Sequence, residues 1–132
     1  MRSTVETLLL AGVTPILMSQ VPNHGKILDG CQVPVYVFST ERVAERCHGV
    51  SRVLAVSRMA WIDQEISDIG REYNVPVVIP TEYFCHSYNH AHCRTLVGNT
   101  LLSKDGSHLT KYGSIFLAKE WEKSGGVPFV KQ

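Results

Sequence analysis

The stretch Asp105-Gly106-Ser107-His108-Leu109-Thr110-Lys111-Tyr112-Gly113 decides how the rest of this chain is read. A carboxylate three residues before a histidine puts an acceptor within reach of one ring nitrogen and turns the other toward whatever lies beyond. That arrangement is the base-and-orienter half of a catalytic triad. Gly106 and Ser107 suit a tight turn. Thr110 suits the N-cap of a following helix that carries Leu109, Tyr112, Phe116, Leu117 and Trp121 along one side. The acid and the imidazole therefore fall in a loop that feeds a helix, where catalytic groups often lie. A bare D-x-x-H is a common turn pattern, and its neighbours give it meaning.

Upstream, Val75-Pro76-Val77-Val78-Ile79-Pro80 is a short β-branched run bracketed by prolines, the composition of a strand. Val13 to Met18 is an apolar run of strand length after Gly12, although Pro15 removes one ladder donor. Before it, Ser3-Thr4-Val5-Glu6 has the form of a capping box for a short helix carrying Val5, Leu8 and Leu9 and ending at Gly12. Val21 to Ser39 reads as an excursion rich in turn formers, with Val33 to Phe38 extended and His24 on an exposed loop. Ser39 or Thr40 caps a second helical region with Val43, Cys47, Val50 and Leu54 at steps of three or four. Gly49 can interrupt it, and the stripe resumes at Trp61, Ile62, Ile66, Ile69 and Tyr73, all read as core, so one long helix or two in tandem are expected to end near Asn74. Helix, strand, long helix, strand, then loop and helix is α/β order, which predicts a parallel sheet with a site at the carboxyl ends of its strands.

The chain has 132 residues, 44% of them hydrophobic, enough for one domain spanning residues 1–132 with a real core. A net charge of +1 gives no reason to expect a nucleic-acid surface. Pro15, Pro22 and Pro34 interrupt the longest apolar stretches, so no membrane span is expected, and Met1-Arg2-Ser3-Thr4 running into Glu6 is not a signal peptide. The four cysteines, Cys31, Cys47, Cys85 and Cys93, permit three pairings. Cys85 and Cys93 flank a short polar loop whose ends can close into a bridge, leaving Cys31 and Cys47 for a second. Bridges imply an oxidising compartment, and the other reading of the four is free, partly buried thiols in a cytosolic protein. A reading from a different class takes Cys85, His86, His90, His92 and Cys93 as a zinc-binding module. Their spacing is not that of paired knuckles, and no cofactor or metal is assigned.

Pro80-Thr81-Glu82-Tyr83-Phe84-Cys85, then Cys93, then Asn99-Thr100-Leu101-Leu102 leading into Asp105 to Gly113, resembles the end of an SGNH hydrolase domain. The likeness is to the SGNH domain fused behind the membrane acyltransferase of the acyltransferase-3 family, where strand, cysteine pair and D-x-x-H-L-[ST]-x-x-G follow in this order. It runs from about Val5 and tightens from Pro80 to Lys119. The resemblance implies a three-layer, flavodoxin-like α/β fold, with Asp105 and His108 in the last two triad positions. It also implies O-acylation or deacylation of a cell-surface glycan, an acyl group relayed from a membrane acyltransferase domain, and placement on the periplasmic face of the inner membrane.

One feature of such domains is missing. They begin with a strand ending in Gly-Asp-Ser, whose serine is the nucleophile, and later supply a glycine and an asparagine to the oxyanion hole. No Gly-Asp-Ser occurs here, and Asn23, Asn74, Asn89 and Asn99 lie outside any Gly-x-Asn-Asp. The expectation is the C-terminal portion of an SGNH fold, from a truncated gene or an internal start, inactive by itself and prone to self-association through its incomplete sheet. The local serines do not replace the nucleophile: Ser107 is too constrained beside His108, and Ser103 and Ser114 lack an elbow context. A non-catalytic remnant is the other reading.

Overall fold

The computed structural model describes residues 1–24, 49–85, 91–98 and 100–126. In chain order these form α1 (Arg2–Leu10), β1 (Leu17–Met18), α2 (Arg52–Tyr73), β2 (Val77–Val78), α3 (Pro80–Cys85), β3 (Leu96–Val97), β4 (Thr100–Leu101) and α4 (Lys111–Lys123).

β1 and β2 pair in parallel, Leu17 opposite Val77 and Met18 opposite Val78, so each residue pair points to one face. On the first face, Leu17 and Val77 pack with Val5 of α1 and with Ile66 and Ile69 of α2. On the second, Val78 joins Leu117 and Trp121 of α4, together with Phe84, Leu102 and the Cys85 and Cys93 pair. Helices thus cover both faces of the parallel pair, as the α/β order predicts. The sheet is two-stranded within the described residues, and a separate antiparallel pair, β3 with β4, precedes the D-x-x-H loop.

The long helix ends as its sequence predicts. Asn74 adopts the left-handed conformation at φ 52°, and the Val75 N–H returns to the Gly70 carbonyl at 2.9 Å. Gly70 lets the strand approach closely, because a Cβ there would stand 2.1 Å from Cγ2 of Val77. Ile66 and Ile69 are buried, with Ile62 and Tyr73 packed beside them.

Other expectations are corrected. Val50 is buried but lies ahead of the helix; α2 starts after Ser51, which pairs with His92 in an isolated bridge. Trp61 is 72% exposed, and Leu54 and Tyr112 are also exposed, so none of them is core. Periodicity identifies a stripe but not how far round the helix its partners extend. The capping box does not form: α1 starts at Arg2, inside which the Ser3 carbonyl accepts from Thr7 Oγ1. Arg2 instead reaches Glu65 and Glu72 of α2, and Glu6 accepts from Tyr73 Oη. Both expected strands shrink to two residues, and Pro80, expected to close a strand, opens α3. A proline at the first helical position loses no helical donor. The expected extended piece Val33 to Phe38, the cap at Ser39 or Thr40, and Val43 and Cys47 lie outside the described residues.

Candidate functional site

The site is a loop built almost entirely by its own side chains. Chain leaves β4 through buried Leu102 and Ser103, turns at Gly106 with φ 87°, and re-enters helix at Thr110. Ser103 closes the turn from inside: its hydroxyl donates to the His108 carbonyl at 3.0 Å and accepts from the Gly106 N–H at 3.0 Å. The Lys104 N–H donates to the same His108 carbonyl at 2.7 Å. Thr110 caps α4 by accepting from the Gly113 N–H at 3.0 Å, while its hydroxyl donates to the Leu101 carbonyl at 2.7 Å. Gly113 is required where it stands, since a Cβ there would lie 1.9 Å from the Leu102 carbonyl oxygen. The T-x-x-G of the sequence is thus a cap followed by a close approach of helix to chain.

Within this frame Asp105 has two tasks. Its Oδ1 accepts the backbone N–H groups of Ser107 at 3.0 Å and His108 at 2.9 Å, which fixes the turn. Its Oδ2 lies 2.8 Å from Nδ1 of His108. The hydrogen bond to His108, followed by those from the Ser107 and His108 backbone, holds the Asp105 carboxyl well below the usual carboxylate range. An ionised Asp105 requires the proton of neutral His108 to sit on Nδ1, and the lone pair is then on Nε2. The His108 ring is 77% exposed and lines a cleft of about 590 Å³ with Met18, Ser19, Gln20, Asn23 and Ser114 among its other walls. These cleft residues gather around the end of β1, as α/β order predicts.

Each hydroxyl on that cleft is engaged elsewhere. Ser107 Oγ donates to Asp105 at 3.1 Å and lies 3.4 Å from Nδ1, the nitrogen on the wrong side of the ring for activation. Ser114 Oγ donates to the Thr110 carbonyl, and Ser19 Oγ donates to Asp63. Of the asparagines, Asn23 is exposed on the cleft and Asn74 caps α2, while Asn89 and Asn99 lie outside the described residues.

Cys85 and Cys93 form a disulfide, with both residues buried. The zinc reading therefore loses both of its thiolates, and His86 and His90 lie outside the described residues, as do Cys31 and Cys47. His24 corrects another expectation. It is not an exposed loop residue but is 4% exposed; its backbone N–H donates to the Gly106 carbonyl at 2.7 Å, and its Nδ1 accepts from the Val50 N–H at 3.3 Å. Burial pushes its imidazole down to about 4. Nothing local in Asn23-His24-Gly25 signals this placement, because both partners are distant in sequence.

Helices on both faces of a parallel strand pair, with a carboxylate-held imidazole at the lip of a cleft, make an α/β arrangement. The family described as SGNH domain (fused to AT3 domains) matches residues 1–123, and the chain belongs to that family. Searches of curated proteins and of solved structures each returned no match. No described helix is long and apolar enough to cross a membrane.

Proposed function

We propose that this chain supplies the acid and base of an SGNH acyl-ester reaction, with Asp105 orienting His108. The observation that carries the proposal is the division of labour in the Asp105 carboxylate. One oxygen is occupied by the turn, the other by Nδ1, so the imidazole presents Nε2 to the cleft. The nucleophile is a serine hydroxyl brought to that cleft by a segment other than the ones lining it here. Nε2 of His108 takes the hydroxyl proton as Oγ attacks the ester carbonyl. The resulting imidazolium, stabilised by Asp105, returns that proton to the departing alcohol oxygen as the tetrahedral intermediate collapses to an acyl-enzyme. A sugar hydroxyl or water, deprotonated by the same nitrogen, then attacks the acyl carbonyl, and the imidazolium gives that proton to the serine oxygen as the acyl-enzyme bond breaks.

Membership in a family fused to membrane acyltransferase domains supports the rest of the reading. The acyl donor reaches the domain from such a membrane partner, and the acceptor is a cell-surface glycan on the extracytoplasmic side. The Cys85 to Cys93 bridge accords with an oxidising compartment. The flavodoxin-like sheet is completed from the outer edge of β1, where Met18 is exposed. In the absence of the completing strands, a second copy of the chain pairs along that edge.

The test is acetyl-ester turnover by the full-length protein in which this domain meets its serine. His108→Ala abolishes hydrolysis and transfer while the Cys85 to Cys93 bridge and helix content remain. Unchanged turnover in that variant removes His108 from the mechanism and leaves a non-catalytic domain.

A further inference from the structure

We propose that His24 is a positioning residue that holds the Asp105 carboxylate, and through it the His108 ring, in its working geometry. This rests on the catalytic reading of Asp105 and His108 given above. One peptide plane joins the two residues, His24 and Asp105. The carbonyl of Gly106 and the N–H of Ser107 belong to the same rigid unit. The carbonyl side is held by the backbone N–H of His24 at 2.7 Å, whose place is fixed by the ring, and the N–H side donates to Asp105 Oδ1 at 3.0 Å. Rotation of that plane swings the Ser107 donor off the carboxylate. Gly106, at φ 87° and without a Cβ, offers little resistance of its own. The second Asp105 oxygen carries the bond to His108, so tilting the carboxylate tilts the ring.

The imidazole of His24 anchors the other end. Its Nδ1 accepts the Val50 N–H at 3.3 Å, and the Val50 carbonyl accepts from the Cys93 N–H at 3.0 Å. Cys93 is bonded in turn to Cys85 at the end of α3. The loop that carries the acid and base is therefore tied, through the backbone N–H and the buried ring of one residue, to the disulfide-bonded part of the core. Only an imidazole whose Nδ1 is unprotonated can accept from Val50, so His24 serves as a neutral ring with its proton on Nε2.

The experiment compares His24→Leu with His24→Asn, since an asparagine Oδ1 stands near the position of Nδ1 and keeps an acceptor for Val50. The first readout is the tautomer of His108, followed by long-range ¹⁵N NMR of the imidazoles in the 132-residue chain. His24→Leu moves His108 from the Nδ1–H form toward the Nε2–H form and speeds amide exchange at Ser107, whereas His24→Asn retains the wild-type spectrum. With the proposed serine-bearing segment present, His24→Leu lowers kcat with little change in KM, by about 100-fold if the ring shifts by about 1 Å, and His24→Asn keeps it near wild type. Equal effects of the two variants, or none from either, overturn the proposal. Should His24→Leu not fold, two observations decide instead. The wild-type ring must show an unprotonated Nδ1 at neutral pH, and His24→Asn must preserve the His108 tautomer; failure of either overturns the role. These NMR outcomes do not depend on turnover, so a catalytic reading refuted by His108→Ala remains distinguishable from a failed role for His24.

Discussion

Acidification tests the burial of His24 quantitatively. In the unfolded chain its imidazole titrates at the ordinary value of 6.5, whereas burial in the fold pushes it down to about 4. Between those values the unfolded chain binds a proton that the folded chain refuses, so the unfolded state carries more protons and stability falls as pH falls. The contribution is present in full above 6.5, is lost progressively through the interval, and changes no further below about 4. The gap between the two values corresponds to about 3 kcal/mol. The assay is urea unfolding followed by tryptophan fluorescence at a series of pH values, for wild type and His24→Asn, which lacks the titrating ring. Subtracting the two curves cancels the carboxylates that both proteins share. Asp105 is one of these. Its depressed carboxyl stabilises the fold above the ordinary carboxylate value and loses that contribution only at lower pH. A difference curve that is flat from neutrality to about pH 4.5 refutes the burial of a neutral imidazole.

Two further outcomes follow from the same packing. Gly113→Ala forces a Cβ against the Leu102 carbonyl, lowering the urea midpoint by an amount equivalent to about 1–3 kcal/mol and disturbing the His108 tautomer. A wild-type midpoint in that variant shows that α4 can move away at no cost. Replacing both Cys85 and Cys93 with alanine removes a cross-link between residues eight apart in sequence. Loop entropy puts the loss at about 2.5 kcal/mol, read as a lower urea midpoint; an unchanged midpoint means that the bridge constrains nothing in the unfolded chain.

What the sequence made legible was mostly local. Asp105 and His108 were readable because a carboxylate and an imidazole three residues apart meet within one turn, and the Thr110 cap lies just two residues further on. The Cys85 and Cys93 pairing was readable for the same reason of proximity, and the isoleucine stripe of α2 because it faces a strand over several turns. The β3 and β4 hairpin was missed although its signal was present. Val97 pairs with Thr100, and the sequence between them is Gly-Asn, a dipeptide that favours tight hairpins. Trp61, Leu54 and Tyr112 were misplaced because apolar identity at helical spacing does not say whether a partner surface reaches that part of the helix. His24 was beyond reach for a different reason. Its partners, Val50 and Gly106, are joined to it only by the tertiary fold.

The central claim is that Asp105 and His108 act as one unit, and a double-mutant cycle on acetyl-ester turnover, measured with the proposed serine-bearing segment present, tests it most directly. Asp105→Asn reverses the demand on Nδ1 and lowers kcat by about 10⁴-fold, His108→Ala lowers it at least as far, and the double variant is no slower than His108→Ala alone. A double variant slowed by the product of the two single effects would show two independent contributions and contradict the claim.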